Sequence, residues 1–501
     1  MPDNLFNRFL AAVPRPEKIF LKPGNGPALS FAETFARSAQ LAHVLAAHGV
    51  KPGDRVAVQA EKSATVLILY LACLRAGAVY LPLNTGYTPH ELAYFVQDAE
   101  PRLFVCAEQN RQKIEAALPV LDFLTVSDDG SSGSLVAEAA RAPRDFADAA
   151  VGMEELASIL YTSGTTGRSK GAMLSHGNLH SNAESLKQAW EFSASDVLLH
   201  ALPIFHIHGL FVASNVSLLS GASMLFLPKF DPDAVFGALP QTTVMMGVPT
   251  FYTRLLKDSR LNPDSTRHMR LFISGSAPLL AETHRQWQAM TGHALLERYG
   301  MTETGMNTSN PYRGRRIPGS VGLPLPGVEL RIADGEGHPL AGGEIGMIEV
   351  RGPNVFKGYW KLPEKTREEF RQDGFFITGD LGSRDADGYV RIVGRGKDLI
   401  ITGGLNVYPS EVESLLDQIP GVEEAAVVGL PHEDFGEGVT AFLVLKPDTV
   451  LTEAEILESL RERLARFKQP KRVIFVEQLP RNTMGKVQKS LLREEYAALY
   501  R

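Results

Sequence analysis

Cysteine is scarce in this chain, which carries only two in 501 residues, Cys73 and Cys106. Both lie in apolar surroundings, LILYLACLRAG and RLFVCAEQ, so we expect two buried thiols in a reducing compartment rather than a disulfide. A long apolar run is also missing, because the longest uncharged one, from Ala64 to Leu74, is too short to span a bilayer. The N-terminus, MPDNLFNRFLAAVP, lacks the charged start and continuous apolar stretch of a secretory signal. These absences predict a cytoplasmic protein without a membrane segment.

An excess of positive charge is missing as well. Lys and Arg total 51 against 57 Asp and Glu, which gives a net charge of −6, so no general surface for nucleic acid or anionic membrane is indicated. The composition of 44% hydrophobic, 22% charged and 8% aromatic residues excludes disordered, collagen-like and coiled-coil chains. A chain of this length is expected to form two or more domains.

Short apolar runs that end in turn residues mark most of the chain before Gly394. LASILY precedes Thr162, VMMGV precedes Pro249, and LFIS precedes Gly275. Runs of this length with turn residues after them predict strands that are buried on both faces of an open α/β sheet. Because ligands in such folds bind beyond the carboxyl ends of the strands, all of these turns are candidate sites.

The composition changes near Gly394, where a compact pattern of short helices and strands begins. We predict a large α/β domain over residues 1–394, with mixed sheets and helices in several layers, and a small α+β domain over residues 395–501. In the small domain Ser410 and Glu413 are predicted to form a capping box, as are Thr452 and Glu455. EAAVVGL, VTAFLVL and VIFV are its predicted strands.

The strongest local signal is the segment YTSGTTGRSKG, residues 161–171. Glycines let backbone N–H groups crowd a phosphate, hydroxyls add donors, and cations supply charge. The segment lacks the spacing of a Walker A loop, and a plain flexible loop is the alternative. We therefore predict a phosphate-binding loop with Lys170 as its principal cation, formed by Thr162, Ser163, Gly164, Thr165, Thr166, Gly167 and Arg168.

Other polar segments are weaker when each is taken alone. In YGMTET, Tyr299 offers a face for a base and Glu303 a hard oxygen ligand for the Mg²⁺ that accompanies a nucleoside triphosphate. ITGD ends at Asp380, which can accept the ribose hydroxyls, and Arg395 can steady the sugar or a phosphate. NTMGK carries Lys486 in a polar tail. Glu303 capping a turn, a surface salt bridge and a solvated lysine are the alternative interpretations.

Taken together, the ordered motifs TSGTTGRSKG, YGMTET, ITGD, GRGKD and NTMGK resemble the adenylate-forming superfamily, which includes acyl-CoA synthetases, peptide-synthetase adenylation domains and luciferases. The resemblance covers nearly the whole chain. It departs at Ser169, where Pro is commoner, and at Lys397, a hinge position that is often Asp. The resemblance implies that ATP activates an acid as acyl-AMP, that CoA then takes the acyl group, and that the small domain moves about the hinge between the two steps.

The resemblance also assigns the site residues. It implies that Lys486, Lys170 and His206 are catalytic, that Glu303 and Thr165 bind Mg²⁺, that Gly403 and Gly404 line the CoA channel, and that Lys397 is the hinge. The implied ATP-binding residues are Thr162, Ser163, Gly164, Thr165, Thr166, Gly167, Lys170, Ser274, Gly275, Ser276, Ala277, Glu297, Arg298, Tyr299, Gly300, Met301, Thr302, Asp380, Arg395 and Lys486.

Within the superfamily, GVPTFYTRLL, ISGSAPLLAETHRQW, LERYGMTETGMNTSNPY, HALPIFHIHGLFVASN and LPRNTMGKVQK resemble malonyl-CoA synthetases. A dicarboxylate needs a second cation, and Arg298 or Arg254 can grip a carboxylate in a bidentate way, with Ser276 and His206 beside it. Arg254 is alternatively an exposed helix residue. A zinc site at His206 and His208 is disfavoured because no Cys or acidic cluster completes a ligand set, and His208 is assigned to packing.

Several functions remain open on the sequence alone. An ATPase or kinase would share the phosphate loop, although the Walker A spacing is missing. A carrier-protein-loading adenylation enzyme shares the first half-reaction, and acetate, medium-chain or aromatic acids are alternatives to malonate. A binding protein without activity is disfavoured because the charged motif positions are intact. The resemblance also suggests a regulatory lysine acetyltransferase as a partner that modifies Lys486.

Overall fold

A computed structural model describes residues 3–24, 26–118, 122–162, 169–403, 405–461, 463–483 and 485–500. The predicted site residues Ser163, Gly164, Thr165, Thr166, Gly167 and Gly404, and with them Arg168, lie outside the described residues.

The strands of the described residues are, in chain order, β1 (Ile19–Pro23), β2 (Leu29–Ser30), β3 (Arg55–Gln59), β4 (Val79–Pro82), β5 (Leu103–Ala107), β6 (Asp122–Val126), β7 (Leu156–Thr162), β8 (Lys170–Ser175), β9 (Val197–His200), β10 (Ser223–Phe226), β11 (Val244–Gly247), β12 (Leu271–Ser274), β13 (Leu296–Met301), β14 (Gly305–Ser309), β15 (Leu323–Pro324), β16 (Glu329–Ala333), β17 (Gly346–Arg351), β18 (Phe376–Arg384), β19 (Val390–Arg395), β20 (Ile400–Thr402), β21 (Leu405–Val407), β22 (Val422–His432), β23 (Gly436–Leu445) and β24 (Arg472–Phe475).

The α-helices are α1 (Leu5–Ala11), α2 (Phe31–Ala47), α3 (Ala64–Ala76), α4 (Pro89–Ala99), α5 (Arg111–Ala117), α6 (Ser134–Ala139), α7 (His176–Ala189), α8 (Asn215–Ser220), α9 (Pro232–Ala238), α10 (Pro249–Leu256), α11 (Pro263–Thr266), α12 (Ala281–Thr291), α13 (Pro363–Glu368), α14 (Pro409–Leu416), α15 (Glu453–Leu460) and α16 (Lys489–Glu495). A π-helix spans His208–Ser214, and short 3₁₀ turns span Glu108–Asn110, Leu239–Gln241 and Gly396–Asp398.

Within the described residues, three sheets form the large domain. A six-stranded sheet has the order β6-β5-β3-β4-β7-β8 and a nine-stranded sheet the order β15-β14-β13-β12-β11-β9-β10-β1-β2. Their central strands are parallel. A four-stranded antiparallel sheet, β16-β17-β18-β19, completes the domain. The predicted apolar runs are β7, β11 and β12, so the expectation of buried strands in an α/β fold is confirmed.

Helix α3 shows how the apolar sequence forms the core. The Ser63 side chain caps its start by accepting from the Val66 N–H, and Gly77 ends it with a left-handed φ of 68°, a conformation that glycine adopts without strain. Every residue from Val66 to Ala76 is buried, as expected of a helix that is apolar all round. Cys73 in α3 and Cys106 in β5 are buried free thiols, which confirms the expectation of thiols rather than a disulfide.

The small domain is built on a five-stranded sheet of described residues, β21-β20-β23-β22 with β24 beside β23. Helices α14 and α15 cover one face through Val412, Leu416, Ile456 and Leu460, which are buried together. The predicted strands and the capping box of Thr452 and Glu455 are confirmed.

The predicted capping box of Ser410 and Glu413 is wrong. Helix α14 begins at Pro409, with Tyr408 as its N-cap residue and without a side-chain cap, since proline at the first helical position moves the start upstream. Ser410 instead donates to the Val393 carbonyl. Glu413 accepts from the Val427 N–H at 2.7 Å and pairs with Lys489.

The segment between the two domains contains the predicted hinge. Strand β19 of the four-stranded sheet ends at Arg395, the 3₁₀ turn Gly396–Asp398 follows with Lys397 at its centre, and β20 begins at Ile400. Asp398 is held by Arg493 of α16 at 2.6 Å. A boundary at residues 394 and 395 and a hinge at Lys397 stay predictions.

Candidate active site

A hydrogen-bonded group at the four-stranded sheet brings three of the predicted nucleotide residues together. Asp380 of β18 and Arg395 of β19 are cross-strand partners, and Arg395 Nε lies 2.9 Å from Asp380 Oδ1. The Tyr299 hydroxyl donates to the other carboxylate oxygen of Asp380 at 2.5 Å. Burial, followed by the charge of Asp380, raises the pKa of Tyr299 well above its usual range, so this hydroxyl stays protonated and donates.

Strand β13 carries both Arg298 and Tyr299, and its pleat separates them. Successive side chains of a strand point to opposite faces, so Tyr299 reaches Asp380 while Arg298 lies on the other side, against Gly275. A Cβ atom added at Gly275 would lie 2.4 Å from the guanidinium carbon of Arg298. Glycine at this turn therefore makes room for the arginine, as close packing of a side chain on backbone requires.

Arg298 is a buried cation that has no carboxylate partner among the described residues. It is only 4% exposed, and its Nε and Nη2 atoms have no hydrogen-bond partner among the described residues. Burial lowers the pKa of Arg298 to about 9. Because a buried, unpaired charge is costly unless it gains a partner, this guanidinium is suited to an anionic ligand.

Two histidines lie within electrostatic range of Arg298. The pKa of His206 falls to about 4 because of burial and then the charge of Arg298, so the ring is neutral at physiological pH. His208 is buried, and burial followed by Arg298 lowers its pKa well below the usual range. Its Nδ1 lies 3.1 Å from the Ser276 hydroxyl, whose residue has a left-handed φ of 72°. His208 is therefore packed in the interior and also contacts the predicted site residue Ser276.

A second polar group lies where β7 and β8 meet the segment after β13. The buried carboxylate of Glu303 accepts from the Thr162 hydroxyl at 3.4 Å. The Tyr359 hydroxyl lies 3.1 Å from Glu303 Oε1 and 2.6 Å from Glu369 Oε2. Lys170 pairs with Glu369 at 2.9 Å. Burial raises the pKa of Glu303, and this carboxylate forms no salt bridge within the described residues.

Lys486 reaches the nucleotide side of the site from the small domain. Its side chain is exposed, but protein atoms around its ammonium, followed by the charge of Arg395, lower the pKa of Lys486 to about 8. The neighbouring residue Thr483 accepts from the Asn84 amide at 3.2 Å. A Cβ atom added at Gly485 would lie 3.2 Å from the Thr250 side chain, so the tail rests on the large domain at this point.

The other predicted site residues do not belong to the groups described above. Arg254 is exposed on α10, and its role at the acid site stays a prediction. Gly403 is exposed and has a left-handed φ of 58°. Burial raises the pKa of Glu297 to about 8. Ser274 ends β12 with its hydroxyl buried, and Ala277 lies three residues beyond it. Gly300 and Met301 are the last two residues of β13, and Thr302 follows them.

Comparison with known proteins decides the family. The model of the AMP-binding enzyme family matches residues 10–360, and that of the AMP-binding enzyme C-terminal domain matches residues 411–486. The chain belongs to the AMP-binding enzyme family. The predicted superfamily and the two-part fold are thereby confirmed, and ATP and CoA as small-molecule substrates fit the family.

Individual relatives of this AMP-binding enzyme are similar over almost the whole chain. ATP-bound MatB from Rhodopseudomonas palustris is 59% identical, with a TM-score of 0.98 and full coverage of both chains. Apo MatB from the same organism has a TM-score of 0.86. The malonate–CoA ligase of Arabidopsis thaliana is 37% identical over 89% of this chain and 78% of its own length. Feruloyl-CoA synthase from an Amycolatopsis species is 37% identical over 94% of each chain.

Tyr359 and Glu369 are further residues of the site that sequence reasoning did not single out. They follow Glu303 by 56 and 66 residues, distances along the chain that no local motif connects. The aromatic segment FKGYW around Tyr359 is the single signal available. None of the helices that the structure describes has the length and hydropathy to cross a membrane.

Proposed function

We propose that the chain is an ATP-dependent malonate–CoA ligase. In the first step a malonate carboxylate oxygen attacks the α-phosphorus of ATP, which gives malonyl-AMP and releases pyrophosphate. In the second step the CoA sulfur attacks the acyl carbon, which gives malonyl-CoA and releases AMP.

The observation that carries the choice of acid is the buried, unpaired guanidinium of Arg298. A monocarboxylate has only the carboxylate that reacts with ATP. Malonate has a second carboxylate, which Arg298 can bind in a bidentate way. The neutral rings of His206 and His208 and the Ser276 hydroxyl add hydrogen-bonding groups without a competing charge. Similarity to malonate–CoA ligases over most of the chain supports the same choice.

The cations of the site support an adenylation step. The acid's carboxylate and the α-phosphate of ATP are both anionic, so positive charge held at the reacting oxygens lowers the barrier to their reaction. Lys486 lies within electrostatic range of Asp380 and Arg395, the proposed ribose contacts, and is the proposed cation for the α-phosphate. Lys170, which Glu369 holds, is the proposed cation for the outer phosphates.

The donor set at Glu303 fits a magnesium ion. A buried carboxylate with hydroxyl neighbours and no salt bridge among the described residues is the hard oxygen ligand that Mg²⁺ prefers. We propose that Glu303 holds the ion together with phosphate oxygens. When bound, the ion neutralises charge on the phosphates.

Replacing Glu303 by glutamine is expected to raise the Mg²⁺ concentration for half-maximal pyrophosphate release by about tenfold or more, because a ligand oxygen loses its charge. Titration of the rate with Mg²⁺ measures the shift. Glu368→Gln removes a neighbouring exposed carboxylate and should leave the curve in place. An unshifted curve for Glu303→Gln would show that the ion is held elsewhere.

Other acids are the main alternatives. The similarity to a feruloyl-CoA synthase favours an aromatic acid, but an aromatic ring would leave Arg298 buried without a partner. A carrier-protein-loading enzyme would accept a protein-bound pantetheine in place of CoA. Acetylation of Lys486 by a regulatory acetyltransferase and a cytoplasmic location stay predictions from the sequence.

The deciding experiment is pyrophosphate release with ATP, CoA and a panel of acids: malonate, methylmalonate, acetate, octanoate and ferulate. We expect malonate to give the highest kcat/KM, with AMP and malonyl-CoA formed in equal amounts. ADP as the product would contradict the ligase assignment. A higher kcat/KM for ferulate or acetate would contradict the assignment of malonate and leave the ligase assignment intact.

A further inference from the structure

Lys62 is a buried cation that the proposed reaction does not use. It lies between β3 and α3 and is only 7% exposed. Its ammonium donates to Nδ1 and to the backbone carbonyl of His200, at 2.9 and 2.8 Å, and lies 4.2 Å from the ring centre of Phe226. It forms no ion pair with any residue that the structure describes, and burial holds the pKa of Lys62 well below its usual range. Packing alone does not account for such a group, because an apolar side chain would fill the space without the cost of desolvation.

His200 contacts both Lys62 and the backbone of the π-helix His208–Ser214. It is the last residue of β9, at the carboxyl end where the sheet meets the site. Since Nδ1 accepts from Lys62, the ring hydrogen is on Nε2, which donates to the Gly209 carbonyl at 2.9 Å. The Ser214 hydroxyl donates to the same carbonyl at 2.9 Å. Lys62 thereby selects the tautomer of His200 that can hold Gly209.

Gly209 belongs to the π-helix His208–Ser214, a rare conformation that is frequent at functional sites. The segment before it rests directly on this turn. A Cβ atom at Gly209 would lie 2.0 Å from the Pro203 carbonyl oxygen, and the Leu210 N–H donates to the His206 carbonyl at 3.0 Å. The position of His206 and His208 against Ser276 and Arg298 therefore depends on the turn that His200 holds.

We propose that Lys62 and His200 are a positioning pair for the acid pocket. The pair connects the six-stranded sheet to the π-helix and keeps both pocket histidines in register with Arg298. This inference rests on the proposed acid–CoA ligase reaction, although not on which acid is used. It predicts a selective effect on the acid, because the ATP contacts proposed at Asp380, Arg395 and Lys170 lie on other elements.

The test is Lys62→Met, which keeps the length of the side chain and removes its charge and donors. We expect kcat/KM for the preferred acid to fall about tenfold to a hundredfold, as a small misplacement of positioning groups can cause. The fall should come through KM for the acid, with KM for ATP unchanged. The midpoint of thermal unfolding should stay the same or rise, since an unpaired buried charge is removed. A lower midpoint with all kinetic parameters reduced together, or an unchanged KM for the acid, would overturn the proposal.

Lys18→Met is the matched control. Lys18 also donates to backbone carbonyls, those of Ala194 and Gly221, but at the amino ends of β9 and β10, away from the site. We expect it to leave KM for the acid unchanged.

If the Lys62→Met variant folds poorly, a second set of variants tests the same proposal. His200→Phe and the double variant with Lys62→Met form a double-mutant cycle. The losses in kcat/KM should not multiply, because either change removes the same connection, and multiplying losses would contradict a pair. The acid used throughout is the one that the wild-type protein prefers. A failure of the malonate assignment therefore appears in the wild-type panel, and a failure of the positioning role appears in the ratios of variant to wild type.

Discussion

Replacement of Lys486 by alanine is expected to slow formation of the acyl-adenylate by about a hundred- to a thousandfold, the usual cost of removing a preorganised charge from a transition state. The second step, measured from synthetic acyl-AMP and CoA, should keep its rate. The reason is that Lys486 reaches the nucleotide side from the small domain, which the family resemblance predicts to move before the thioester forms. Single-turnover pyrophosphate release and thioester formation from acyl-AMP measure the two steps separately.

The lowered pKa of Lys486 adds a pH test. With a pKa of about 8, the ammonium loses its proton as the pH rises through that value, so the first step should slow above it. Lys486→Arg keeps its charge, and the decline above about pH 8 should disappear in that variant. The exposed Lys446 of the small domain provides a control, since Lys446→Ala should match the wild type. Equal losses in both half-reactions for Lys486→Ala would contradict the assignment.

Replacement of Arg298 by alanine is expected to abolish the preference for malonate over acetate. A site whose buried polar group has no partner with the wrong substrate discriminates by about ten-thousandfold, and the variant removes that group. The ratio of kcat/KM for malonate to that for acetate should therefore collapse, through a loss with malonate and a gain with acetate. Competition between the two acids for acyl-CoA formation measures the ratio directly.

Thermal stability distinguishes a substrate-binding role of Arg298 from a structural role. Arg298→Met removes an unpaired buried charge and should not lower the midpoint of thermal unfolding, although it should lose the preference for malonate in the same way. Arg267→Ala, an exposed change on the large domain, should keep the wild-type ratio. A retained preference in both Arg298 variants would show that the second carboxylate is bound elsewhere.

Much of the site was predictable because its signals are local. The apolar runs before Thr162, Pro249 and Gly275 are strands of the kind that the alternation of apolar and turn residues predicts. Proline at position 409 was also a local signal, and it would have corrected the predicted start of α14. The exposure of Arg254 agrees with the alternative interpretation, because this residue lies two residues, or about 200°, from the buried Tyr252 on a helix.

Other features required the folded chain. Glu369 reaches Lys170 across 199 residues, and Lys62 meets His200 across 138. Neither pair has a spacing that a motif describes. That Arg298 has no carboxylate partner in the part of the chain that the structure describes is likewise a property of packing, since the sequence shows a charge but not whether another group neutralises it.

The pleat of β13 has a consequence for how acid specificity diverges. Adjacent residues on this strand face the two proposed substrates, the acid through Arg298 and the nucleotide through Tyr299. A substitution at Arg298 can therefore alter the range of acids that the enzyme accepts and leave the binding of ATP intact. An insertion or deletion in the strand would exchange the two faces and disable both. Evolution of new ligases on this scaffold should proceed by substitution within β13, with its length preserved.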